Sequence, residues 1–183
     1  MLKKNFFPKG IQFGDTQKEV RAKETIAIAE GISDEQKLYT DAGDFAGFKD
    51  VSICYEFDDE GKLIEVKWYL FRYSAGASNR DYEELKKYFQ RKYGTPLDYS
   101  NGETYPIITS AFDSAWAAVY VNQSMGEDAA IQDYSEWDYE YQDGQHVKID
   151  LIQLYYGNTD TGYYYDVLVG YKQFTDEELN AAK

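Results

Sequence analysis

His146 is the only histidine in the chain and Cys54 the only cysteine, so imidazole or thiolate chemistry must run through one of them. A Ser-His-Asp triad or a histidine metal site would be built on His146. It stands beside the turn pair Asp143-Gly144, where an exposed residue opening a strand is the plainer expectation. A cysteine nucleophile needs a base and an electropositive setting, whereas Cys54 falls mid-strand between Ile53 and Tyr55 and reads as a packed residue. Glu136, Asp138 and Glu140 alternate on one strand face, an arrangement open to a hard cation. Calcium sites gather six or more oxygens, largely from turns, and no EF-hand spacing occurs, so a solvated acidic face is expected instead. The abundance of carboxylates leaves a hydrolase with a carboxylate pair in a cleft as the alternative. Neither G-x-x-x-x-G-K-[ST] nor G-x-G-x-x-G is present. The expectation is a chain that is not an enzyme and uses no cofactor or metal.

Composition points to recognition. The net charge is −14, which repels phosphate backbones and disfavours a nucleic-acid partner. Between Gly126 and Asp166 there are ten acids against Lys148 alone, nine of the fourteen excess negative charges, together with eight tyrosines and Trp137. The chain is 43% hydrophobic, enough for a core, and carries 19 tyrosines. Tyrosine combines a large ring with a polar tip and suits both half-buried strands and wet interfaces. The candidate binding residues are therefore Tyr134, Glu136, Trp137, Asp138, Tyr139, Glu140, Tyr141, Tyr155 and Tyr164. Such rings make hot-spot contacts while flanking carboxylates steer a cationic partner, so a protein with a basic surface is expected.

These residues need elements to hold them. Val51, Ile53, Tyr55 and Phe57, then Ile64, Val66, Trp68 and Leu70, alternate with polar neighbours around the turn Asp58-Asp59-Glu60-Gly61, predicting an antiparallel hairpin. A short strand through Ile11 and Phe13 precedes a helix opened by the capping box Thr16-x-x-Glu19, running to about Glu30 and closed by Gly31. A short strand is expected around 37–40. Ser74–Asn79 reads as a connector, and Asp81-x-x-Glu84 opens a helix whose stripe is Tyr82, Leu85, Phe89 and Tyr93, stopped at Gly94 and Pro96.

Residues 97–108 read as linker. Residues 110–124 fit a helix with the stripe Phe112, Ala115, Trp116, Val119 and Tyr120, or a buried strand over 117–121; the helix is preferred. Strands follow at about 134–142, 147–156 and 163–172, with Asp143-Gly144 as a hairpin turn and a bulge expected between Leu151 and Ile152. Thr175-x-x-Glu178 could begin a terminal helix. The fold class expected is α+β, two helix-then-antiparallel-sheet halves in tandem, 1–77 and 78–183.

The run Ile11-Gln12-Phe13-Gly14-Asp15-Thr16-Gln17-Lys18-Glu19-Val20 resembles the opening motif of the β-lactamase inhibitory proteins and of the small lipoproteins of outer-membrane assembly. There, an aliphatic residue, a Gly-x-Thr step and a Glu/Gln-Val pair lead into the first helix. Gly14 and Thr16 match, and Asp15 stands where methionine is usual. Tyr88–Pro96 resembles a helix end found in related bacterial secreted proteins. The resemblance implies a helical pair on a small antiparallel sheet, doubled in the inhibitory proteins, and a non-enzymatic protein-binding or inhibitory module, often exported. The cysteine pairs of the inhibitory proteins are missing, and no contact residue carries over. No transmembrane run and no apolar stretch of signal-peptide length occur in these residues. An envelope or secreted location is expected if a leader has been removed, and otherwise a cytoplasmic one, where an acidic protein would neutralise a basic partner.

Overall fold

The computed structural model describes residues 7–99, 110–140, 146–174 and 177–178. The fold class is α+β, and the described residues include three α-helices and eight strands in antiparallel sheet. The chain divides into two compact units, Met1–Trp68 and Tyr69–Lys183.

In the first unit the capping box forms as expected. Thr16 Oγ1 accepts the Glu19 amide at 3.3 Å while the Thr16 amide donates to Glu19 Oε2 at 2.7 Å. The helix it opens, α1 (Gln17–Lys23), is half the expected length. Only Val20 of α1 is buried, too thin a stripe to sustain more turns against nucleation cost. Competition from the next side chain ends it. Glu24 accepts the amides of Thr25 and Ile26 at 2.7 Å, takes the Tyr55 hydroxyl at 2.5 Å and pairs with Lys9. Burial pushes this carboxyl up, but the Ile26 amide, Lys9 and Tyr55 together hold it below the usual carboxylate range.

Beyond Glu24 the chain leaves the helix, Ile28 is bridged to Thr40, and Gly31 sits in a 3-10 turn, Glu30–Ile32, rather than closing a helix. No strand forms through Ile11 and Phe13; a 3-10 turn at Pro8–Gly10 leads instead to a buried Ile11 and an edge-to-face Phe7–Phe13 pair.

The short strands β1 (Lys37–Tyr39) and β2 (Gly43–Phe45) both pair antiparallel with β3 (Phe48–Phe57). Val51, Ile53, Tyr55 and Phe57 are all buried, as the alternation requires. Cys54 on the other face is buried too, and burial pushes its thiol up to about 11, which keeps it protonated and unreactive. Asp58 Oδ1 accepts the amides of Glu60 and Lys62 across the expected turn. The chain returns along β4 (Leu63–Arg72), which begins in the first unit and ends in the second.

In the second unit α2 (Ala75–Tyr93) starts seven residues earlier than the Asp81 capping box predicts, with its cap at Ser74 rather than Asp81. Ser74 accepts the Ala77 amide, and Asp81 is engaged by Arg72 instead. The residues read as a connector form the first turn, because the small Ser78 packs against the sheet and receives the Gln153 amide at 2.8 Å. The expected linker contributes β5 (Leu97–Tyr99). After α3 (Ser110–Ser124), the helix preferred from sequence, come β6 (Asp128–Glu140), β7 (His146–Asn158) and β8 (Gly162–Phe174). They pair antiparallel in the order β8-β7-β6-β5. The Asp143-Gly144 turn and the Thr175 cap lie outside the described residues.

β7 is the axis of this unit. Every residue from Val147 to Leu154 is buried, because α2 covers one face of the sheet and α3 the other. Gln153 bonds Ser78 and Asn79 on the α2 side, while Ile152 and Leu154 cluster with Ala115 and Val119 of α3. A strand covered on both faces loses its polar alternation, which is why the alternation breaks at Leu151–Ile152. The register there is continuous; the bulge lies on β6, between Ile131 and Asp133, leaving Gln132 unpaired.

Candidate functional site

The second unit's sheet displays the residues singled out for binding, but the parity of β6 divides them between two covered faces. Ser135 and Trp137 turn towards α2. Tyr82 of that helix meets Ser135 with their hydroxyl oxygens 2.8 Å apart, and Phe89 packs edge-on against both Trp137 and Tyr171. The Trp137 indole donates to the Gly94 carbonyl at the end of α2, at 2.8 Å. Trp137 is thus a core anchor, sealed beneath a helix, and the expectation that it offers its ring to a partner is corrected.

Tyr134 and Glu136 face the other way and are buried as well. With Lys148 and Asp150 they form an enclosed polar cluster. Lys148 Nζ lies 2.5 Å from Glu136 Oε2 and 3.9 Å from Asp150 Oδ1, and the Tyr134 phenol is 2.6 Å from Asp150 and 2.9 Å from Glu136. Burial, then the two carboxylates, push the Tyr134 phenol well above its ordinary range, so it stays a donor. All four side chains are at most 2% exposed. Paired acids beside a lysine resemble catalytic furniture, yet a closed ion cluster of this kind reaches no substrate. Tyr134 and Glu136 therefore join Trp137 as interior residues, removed from the expected open face.

The remaining candidates are dispersed. Asp138 and Glu140 are exposed and Tyr139 is half-buried against Tyr93, with ring centroids 6.1 Å apart. Tyr141 lies outside the described residues. Tyr164 is exposed on the α3 side, stacked on Tyr156 at 5.6 Å and met edge-on by Tyr73. Tyr155 points to the opposite side. His146 is a half-buried strand-start residue paired in register with Phe174 and Glu140. Among the described residues no three His, Cys, Asp or Glu side chains converge as a metal site. No helix among them is long and apolar enough to cross a membrane.

Two exposed features emerge that sequence reasoning missed. The first is a shallow groove of about 330 Å³ lined by Asp128, Gln132, Tyr155, Tyr163 and Tyr165. Its builder is the register: Tyr155 pairs with Tyr165, and Gly157 lies between Asp128 and Tyr163. The β6 bulge places Gln132 outside the ladder beside them. Gly157 is obligatory here, since its φ of +138° is closed to other residues and an added Cβ would lie 2.2 Å from the Gly162 carbonyl. The Tyr163 hydroxyl donates to Asp128 Oδ2 at 3.0 Å, and Tyr155 and Tyr163 meet at 59° with centroids 6.1 Å apart. The sequence signal was the run Tyr163-Tyr164-Tyr165, in which strand parity sends the middle ring to the opposite face.

The second is the outer face of α3. Ala115 and Val119 point inward as predicted, but Trp116 and Tyr120 do not complete that stripe. They are 49% and 73% exposed, beside Val121 at 51% and Met125 at 65%. Large apolar side chains thus stand on the outer arc of α3 as well as on the inner arc that packs against the sheet. No family model, no curated protein and no solved structure matches the chain.

Proposed function

We propose that this chain is a non-enzymatic protein-binding module of the inhibitory type, and that it recognises its partner through the second unit. The observation that carries the reading is the outward side of α3, where Tyr120 and Val121 are exposed and Trp116 half-exposed, with Met125 exposed just past the helix end. Isolated exposed apolar side chains are ordinary, but several large ones gathered on one short stretch of chain mark an interaction surface. Trp and Tyr are the residue types most enriched at the energetic centre of interfaces. The acidity of the chain complements a partner with a basic surface. The opening motif at Ile11–Val20 is consistent with an inhibitory module.

The test is affinity capture with the wild-type chain and with a Trp116→Ser/Tyr120→Ser double variant, followed by calorimetry with the purified captured protein. The expected result is one stoichiometric partner, bound at least tenfold more weakly by the variant. Equal affinity for the two forms, or recovery of no stoichiometric partner, would overturn the reading. Sedimentation of the isolated chain adds a further arm: self-association abolished by the same substitutions would assign the face to a second copy and also overturn it.

A further inference from the structure

We infer that the groove between β6, β7 and β8 is a cation site that receives a single arginine or lysine side chain of a basic protein partner. The inference rests on the protein-binding reading only for the source of that side chain; the groove is distinct from the α3 face. Three features define the ligand's chemistry. The rings of Tyr155, Tyr163 and Tyr165 line the space, and the negative face of an aromatic ring attracts a cation held within about 6 Å of its centroid. Tyr155 and Tyr163 are inclined at 59° with centroids 6.1 Å apart, so they form a corner, which suits a compact charged group. A flat sugar ring would be better served by a coplanar platform. The exposed Asp128 carboxylate closes one end. It accepts the Tyr163 hydroxyl at 3.0 Å and retains further lone pairs for a guanidinium or ammonium donor.

Charge supports the same occupant. The net −14 of the chain draws cations and repels anions, and Gln132 offers a neutral amide oxygen at the rim. The groove is open to solvent, so it admits a side chain without any opening motion.

Backbone amide shifts of the full-length chain, followed by NMR during titration with Nα-acetyl-arginine amide, test this directly. Nα-acetyl-lysine amide is a second cation, Nα-acetyl-citrulline amide the neutral isostere, and methyl β-glucoside the sugar probe. Saturable shifts centred on residues 128, 132, 155 and 163–165 are expected with the two cations, in the millimolar range. Citrulline should bind at least tenfold more weakly. Asp128→Asn, which is isosteric, and Tyr163→Leu, which removes volume, should each weaken arginine binding at least threefold while the remaining spectrum is kept. No saturable shift, equal binding of citrulline and arginine, or stronger binding of the glucoside would overturn the assignment. Because the probes are small molecules, this result is independent of whether the α3 face finds a protein.

Discussion

Single residues in the second unit carry two opposed electrostatic costs. Lys148 is nearly inaccessible and neutralises part of a cluster holding Glu136 and Asp150. Removing one partner of a buried ion cluster typically costs about 3–5 kcal/mol, since the other charge is left uncompensated. Lys148→Met, which keeps the length of the stem, is therefore expected to lower the urea-unfolding free energy by about that amount at pH 7. A loss of less than ~1 kcal/mol would mean the cluster is reached by water.

Asp166 is the converse case. Its Oδ1 is buried with no hydrogen-bond partner among the described residues. Burial raises its carboxyl to about 6, against the lowering effect of the Tyr156 hydroxyl. A carboxyl raised on folding binds its proton more tightly in the native state, so stability falls as pH climbs from about 4, the unfolded value, through about 6. The full cost above that window is about 3 kcal/mol. Asp166→Asn should consequently be more stable than wild type at pH 7–8, with the advantage shrinking to nothing below pH 4 in urea midpoints measured across that range. An advantage independent of pH would place its origin in packing instead.

At the scale of elements, α3 carries the sharpest expectation. Ala115 and Val119 supply its hold on the sheet, while Trp116 and Tyr120 point to solvent. The Trp116→Ser/Tyr120→Ser variant should then unfold within about 0.5 kcal/mol of wild type per site, the usual range for surface changes, even as partner binding is lost. A larger loss would make the outer arc structural. The same helix marks the limit of what its sequence conveys. Phe112, Ala115, Trp116, Val119 and Tyr120 fit one apolar stripe, yet Ala117, Ala118 and Val121 widen the apolar surface and leave the inward arc unspecified. Strand parity was legible wherever one face stayed polar, as at Val51, Ile53, Tyr55 and Phe57. It was hidden on β7, where both faces are covered, so the bulge was read on the wrong strand. The burial of Tyr134, Glu136 and Trp137 was illegible for a related reason. Alternating acids look solvated, and only the tertiary placement of Lys148 and α2 turns that strand into core. The ends of α1 and α2 were decided by side chains distant in sequence: Tyr55 and Lys9 hold Glu24, while Gln153 holds Ser78.

For the molecule as a whole, charge governs how a partner arrives. Of the ten acids between Gly126 and Asp166, Glu136, Asp150 and Asp166 are buried, but Asp128, Asp133, Asp138, Glu140 and Asp160 are exposed in the segment that contains the groove. Exposed charges act over roughly a Debye length, about 10 Å at 0.1 M salt and 3 Å at 1 M, so this field steers encounter at low salt and is erased at high salt. Apolar contact at α3 has no such dependence. Association with a basic partner should therefore slow by at least tenfold between 0.02 and 0.5 M sodium chloride, while the dissociation rate changes by less than about threefold. Stopped-flow measurement of both rates separates the contributions. An association rate indifferent to salt would remove the role given to the acidic surface and leave recognition to Trp116 and Tyr120 alone. A dissociation rate that climbs steeply with salt would instead place buried charge pairs, such as one through Asp128, at the centre of the interface.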